Sequence, residues 1–295
     1  MDKSRSAMGL GLLLSVALLA SCGADRAADP RVDPPPARGA VIIDHHSTQL
    51  AAIPAAAVDS AKARLHIAYG HTSHGSQLVT GMQGLVGFAG ARYAFNSGGS
   101  GGALDLRDTP FSGASDLGAP DRVAWAATTR SYLAAHAEIN VVVWSWCGQV
   151  STATAQDIAT YLDLMSGLER DHPAVRFVYM TGHLDGTGLT GNLHLRNEQI
   201  RAFCRANDKA LFDFEDIESY DPDGTYFGDR RPDDGCNYDS NGDGTLDANW
   251  ASAWQAAHPG AWFDCTAAHT WPVNANRKAY AAWHLWARLA GWDGS

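Results

Sequence analysis

The sequence predicts an α/β domain whose parallel sheet is covered by helices on both faces, and three observations point that way. Apolar, β-branched runs alternate with stretches of helical spacing, the order that a parallel sheet requires. The run Ile139-Asn140-Val141-Val142-Val143-Trp144 is apolar on both sides, as in a strand buried on both faces. Clusters of polar side chains follow these runs directly, where α/β sheets collect their reactive groups. The expectation is a three-layer α/β/α sandwich with a central parallel sheet.

In chain order, the first segment is an export signal. Lys3 and Arg5 precede the apolar run 8–20, which is too short to span a bilayer comfortably, and Ala20-Ser21-Cys22 follows it. Leu19-Ala20-Ser21-Cys22 resembles the bacterial lipobox, which implies lipidation of Cys22 and a cell-envelope protein anchored by lipid alone, at the outer membrane or cell surface. Residues 23–39 are rich in Ala, Pro, Asp and Arg without apolar periodicity, so they read as a tether. The domain then occupies 40–295. Strands are expected at 65–69, 139–144, 175–180 and 210–214, and helices at 121–137, 154–170, 194–206 and 275–290. The glycine-rich stretch 97–102 reads as a loop, without the helix-opening context of a phosphate cradle.

The formal charge of -10 argues against a nucleic-acid partner, which would need a basic face. Beyond Cys22 the chain has Cys147, Cys204, Cys236 and Cys265, and export makes disulfides plausible, Cys236 with Cys265 and Cys147 with Cys204. A nucleophilic thiol at Cys147 is the other reading of that residue.

Chemistry gathers in three places. After the first expected strand come His71, Thr72, Ser73, His74 and Ser76, a glycine-flanked turn that presents a hydroxyl next to imidazoles. Ser73 is the candidate nucleophile, with Ser76 as its substitute; helix capping is the structural alternative. Gln149 follows the second strand and can donate an N–H to a developing oxyanion together with the Ser73 backbone N–H. His183 and Asp185 follow the third, and with His71 and His74 they form a candidate substrate-binding rim. His269 lies before the last helix as the candidate general base, with Asp264 as the carboxylate that would orient it.

This order of parts resembles the SGNH (GDSL-like) hydrolase superfamily over residues 62–290. Gly70-His71-Thr72-Ser73 stands where that family has Gly-Asp-Ser, and Gly148-Gln149 near its Gly-x-Asn-Asp block. Thr266 occupies the Asp place of the Asp-x-x-His block, so Asp264 would substitute. The resemblance implies a flavodoxin-like sandwich and a serine esterase or deacetylase acting on an acyl or acetyl ester, a glycan ester among the options.

Asp239-Ser240-Asn241-Gly242-Asp243-Gly244-Thr245-Leu246-Asp247 matches the calcium loop of EF-hands and dockerins. Asp239, Asn241, Asp243, Asp247 and the Thr245 carbonyl are the expected ligands; the twelfth position is Trp250 in place of the usual Glu. A structural calcium would rigidify the insertion 221–260. Two rival functions remain open. His71, His74, His183 and His269 with Asp185 form a candidate transition-metal cluster of a metal-dependent hydrolase. Trp250, Trp254, Trp262 and Trp271 are candidates for stacking on sugars in a non-catalytic binder.

Overall fold

The computed structural model describes residues 39–295. The signal segment, Cys22 and the tether lie outside the described residues. A seven-stranded, wholly parallel sheet forms the centre: β1 (Val41–Ile43), β2 (His66–Gly70), β3 (Phe95–Asn96), β4 (Leu104–Asp108), β5 (Val141–Trp144), β6 (Arg176–Met180) and β7 (Ala210–Phe212). The spatial order is β1-β7-β6-β5-β2-β4-β3.

Strand alternation separates two cores. Ile67, Tyr69, Val141, Val143, Val178 and Met180 point to one side, under α1 (Ala55–Arg64), α2 (Ser73–Ala89) and α8 (Pro272–Leu289). Ala68, Val142, Trp144, Phe177 and Tyr179 point to the other, under α3 (Ala124–Ala135), α4 (Ala155–Asp171) and α5 (Asn192–Ala206). This is the three-layer α/β/α sandwich that the alternating pattern predicts. α4 opens with a capping box, the Thr154 side chain on the Asp157 N–H and the Asp157 carboxylate on the Thr154 N–H.

The short helix α6 (Phe214–Glu218) follows β7, and an insertion then leaves the sandwich. It holds the two-residue strands β8 (Asn237–Tyr238) and β9 (Ala248–Asn249), which pair antiparallel, and helix α7 (Trp250–Ala257). Phe227, Cys236, Trp250 and Ala251 pack with Val273 at the start of α8 as a small separate core.

The expected disulfides are not formed: Cys147, Cys204, Cys236 and Cys265 are all free thiols. Cys204 is buried in the core beneath α5 and Cys236 in the core of the insertion, so each serves as an apolar packing residue. Cys147 ends up elsewhere, at the carboxyl edge of the sheet.

Candidate active site

The chain turns outward from β2 in both directions. β4 and β3 lie on one side of β2, whereas β5 and the strands after it lie on the other. The helix after β2, α2, packs on one face, and the helix after β5, α4, packs on the opposite face. The loops leaving β2 and β5 therefore diverge and open a crevice at their carboxyl ends, the place where open α/β sheets bind ligands.

Two glycines let these loops close on each other. A Cβ at Gly70 would stand 2.3 Å from the Trp144 ring, its register partner on β5. A Cβ at Gly75 would stand 2.2 Å from Ser145 Oγ. The first turn of α2 is thereby drawn against the end of β5, and the Tyr69 hydroxyl donates to the Gly75 carbonyl to hold it there (2.9 Å).

That approach joins Cys147 to His74. The thiol Sγ lies 3.1 Å from His74 Nδ1, and His74 Nε2 lies 2.8 Å from Asp234 Oδ2. Since the carboxylate accepts, Nε2 carries the hydrogen and Nδ1 faces the thiol. Ser73 Oγ is 3.5 Å from the same sulfur. His74 is buried, Cys147 and Ser73 are half-buried, and the Asp234 side chain is 26% exposed. Burial pushes the His74 imidazole below its ordinary range, against the opposing pull of Asp234 and with His183 adding to the depression. Burial pushes the Asp234 carboxyl up, but the His74 hydrogen bond and the charges of His183, His74 and His269 outweigh it, and it settles below the usual carboxylate range.

The His74 ring is flanked on both faces. His183 stacks on it at 3.6 Å with an interplanar angle of 1°, and His269 at 4.5 Å and 10°. One network beneath the site fixes these parts. Lys278 on α8 donates to Glu218 and to Gln77 of α2. Glu218 also accepts the Leu184 N–H beside His183 (2.8 Å), and Gln77 donates to the Ala268 carbonyl beside His269 (2.6 Å). Lys278 and Glu218 are fully buried.

Several expected site residues stand elsewhere or in other roles. Gln149 is not a free oxyanion donor: its Oε1 accepts the Cys147 N–H (2.8 Å) and its Nε2 donates to Asp116 (3.1 Å). Asp116 also takes the Thr72 hydroxyl (2.5 Å), tying the β2 and β5 loops together. Asp264 is exposed, and no hydrogen bond or ion pair joins it to His269 among the described residues; the carboxylate at the histidines is Asp234. His269 reaches the site by stacking, from a left-handed backbone position (φ 63°). His71 turns away to Asp108 (2.6 Å), and Asp185 turns to Thr187 (2.5 Å to its hydroxyl). The Ser76 hydroxyl bonds back to the Ser73 carbonyl within α2 (2.6 Å).

The acidic loop has the alternating oxygen pattern expected of it. Asp239 accepts the Gly242 and Gly244 N–H groups (2.7 Å each), Asn241 accepts from Asp243, and Asp247 from Ser240. Gly242 and Gly244 both have positive φ, so the sharp turns there require glycine. Among the described residues the carboxylates of Asp239, Asp243 and Asp247 do not form a group whose ligand atoms all lie within 4.8 Å of one another, and both oxygens of Asp239 are taken by loop N–H groups. Among the tryptophans proposed for sugar stacking, Trp250 is buried, Trp254 and Trp262 are half-buried, and Trp271 is 38% exposed.

No protein-family model matches the chain, and no curated protein matches it.

Proposed function

We propose that this chain is an acyl-ester hydrolase acting through a covalent acyl intermediate on Cys147. The observation that carries the reading is the relay Cys147 Sγ, His74, Asp234, with contacts of 3.1 and 2.8 Å at the switch point of the sheet. A nucleophile within reach of a base, and the base held by a third group, is the arrangement that nucleophilic acyl transfer needs. His74 takes the thiol proton at Nδ1 while Asp234 holds the ring tautomer and stabilises the imidazolium. The thiolate attacks the ester carbonyl, and the oxyanion faces the first-turn N–H groups of α2, which lack intrahelical partners. Collapse breaks the ester C–O bond, His74 returns its proton to the departing alcohol, and a thioester remains. Water then attacks with His74 as base, releasing the acid and the thiol.

The resemblance to SGNH hydrolases favours an esterase or deacetylase on the same grounds of order and loop position, with Ser73 where that family carries its serine. Here the base contacts the sulfur and not the hydroxyl, which favours Cys147 as nucleophile and Ser73 as its neighbour. The loop 239–247 is proposed to hold calcium through Asp239, Asn241, Asp243, Asp247 and the Thr245 carbonyl, supplying rigidity to the insertion that carries Asp234. Cys22 is proposed as the lipid anchor.

A second reading, a metal-dependent hydrolase, is favoured by one observation: ligand atoms of His74, Asp234 and His269 lie within 4.8 Å of one another. The near-parallel rings count against it, because a ring nitrogen binds a metal along its lone pair in the ring plane, and stacked rings do not converge on one ion.

The test is inactivation of p-nitrophenyl acetate hydrolysis by the full-length protein. Iodoacetamide is expected to abolish turnover with modification at Cys147, and Cys147→Ala to lose about a thousandfold or more. Loss to a fluorophosphonate with an adduct on Ser73 would return the nucleophile to the serine. Loss to a chelator, restored by zinc, would establish the metal reading.

A further inference from the structure

Asp116 lies 1% exposed in the turn between β4 and α3, and its carboxylate is held by neutral donors. Oδ1 accepts the Gly118 N–H (2.8 Å) and Gln149 Nε2 (3.1 Å), and Oδ2 accepts the Thr72 hydroxyl (2.5 Å). Taking a carboxylate out of water is costly, and it is tolerated only where donors replace the water. Two of these three donors belong to the acyl-transfer site. Thr72 precedes Ser73 and His74 at the head of α2, and Gln149 accepts the Cys147 N–H at 2.8 Å.

The chemistry of the acceptor gives these bonds a direction. A carboxylate only accepts, so Gln149 must turn Nε2 toward Asp116 and Oε1 toward the Cys147 N–H. Asp116 thereby sets the attitude of the amide that holds the Cys147 backbone. Its own turn closes on Gln149 from a second side. A Cβ at Gly118 would stand 2.4 Å from Gln149 Cγ and 2.5 Å from Cδ, so the side chain lies flat against the glycine. Gly118 is not among the glycines with positive φ, so this close approach, and not the backbone angle, demands glycine. The Leu117 N–H donates to the Ser145 carbonyl (3.0 Å), which seats the turn on the end of β5.

We infer that Asp116 is a positioning residue for acyl transfer: it sets Cys147 through Gln149 and the first turn of α2 through Thr72, and so holds the thiol 3.1 Å from His74. The inference rests on the acyl-transfer reading. Nucleophile and base stand on different loops, and a shift of about 1 Å between such groups is enough to cost about a hundredfold in rate.

The experiment measures p-nitrophenyl acetate turnover and iodoacetamide alkylation of Cys147 on the full-length protein, each normalised to the folded fraction from urea unfolding. Asp116→Ala removes every acceptor and should lower kcat about a hundredfold, leave KM within about threefold, and slow alkylation about tenfold. Asp116→Asn keeps an oxygen on Gly118 and Gln149 and turns its N–H₂ to the Thr72 oxygen, so kcat should stay within about fivefold of native. Gly118→Ala leaves Asp116 in place but drives a methyl into Gln149, and should lower kcat about tenfold or more. Combined with Asp116→Ala it should add less than about threefold, because both changes act through one side chain. A loss that vanishes on normalisation, an Asn variant as damaged as Ala, or losses that multiply in the double variant each overturn the inference. If Asp116→Ala does not fold, native kcat in Gly118→Ala overturns it alone. Cys147→Ala is assayed alongside. Retained turnover there removes the thiol mechanism, while the alkylation rates, read separately, still report whether Asp116 holds Cys147 against His74.

Discussion

Replacing Asp234 by Asn keeps the shape of the side chain and removes its charge, which isolates what the carboxylate does for His74. The bond to be weakened is 2.8 Å long, with the His74 side chain 8% exposed and that of Asp234 26%. A hydrogen bond to a charged group in such surroundings is worth about 1.5–3 kcal/mol, which corresponds to about 10–150-fold in the population of the thiolate–imidazolium pair. Asn can also present its N–H₂ to Nε2 and favour the wrong tautomer, so the loss in kcat/KM should reach about a hundredfold or more. The sign of the pH effect follows from the causes at His74. Burial already lowers its pKa, and Asp234 is the largest opposing influence. Removing the carboxylate lowers it further, so the acid limb of the kcat/KM profile moves to lower pH while the plateau falls. The assay is a pH series of ester turnover, paired with the rate of Cys147 alkylation. A plateau within twofold of the native protein, or an acid limb that moves upward, would refute the relay.

Other outcomes follow from the same contacts. Lys278→Met leaves Glu218 buried without its cation and should cost about 3–5 kcal/mol in urea unfolding; Lys278→Met with Glu218→Gln should recover part of it, and a loss under 1 kcal/mol would contradict the network. Calcium should raise the melting temperature, with EDTA reversing the gain, and Asp239→Asn with Asp243→Asn should abolish the response. Gly70→Ala drives a methyl into the Trp144 ring and should destabilise the fold by about 1–3 kcal/mol, read by the same unfolding curve. Because the Asp234 carboxyl is held below its ordinary range, its contribution to stability should be present at neutral pH and lost as pH falls through the depressed value, a loss that Asp234→Asn should not show.

How far the sequence discloses this molecule varies with how local the signal is. β5 and β6 are legible because they are runs of β-branched and aromatic residues buried on both faces. β1, β3 and β4 are not: β1 and β3 are three and two residues long, and β4 carries the buried Asp105, whose charge breaks an apolar pattern. That carboxylate is held by His66 at 2.8 Å and accepts the Gly98 N–H at 2.7 Å, partners that only the folded chain supplies. α2 starts at Ser73 itself, so the turn that reads as a loop is a helix terminus; no side chain caps it, and the Ser76 hydroxyl donates back to the Ser73 carbonyl.

The order of the site residues is legible in the same way, since Ser73, Cys147, His183 and His269 each follow a strand or precede the last helix. Asp234 is not. It lies in an insertion outside the strand–helix alternation, within Asp233-Asp234-Gly235, a stretch that reads as a solvated acidic turn. Only the packing of the insertion core against α8 carries it back over the sheet. Cys147 is visible in the sequence, but its role turns on distance to His74, which a pairing argument from export alone points away from.

The most direct test of the account is the mass of the protein quenched in acid during turnover of p-nitrophenyl acetate. An added acetyl group mapped to the peptide of Cys147, present in the native protein and absent in Cys147→Ala, is the result the account predicts. An acetyl group on Ser73 with Cys147 unmodified would contradict it.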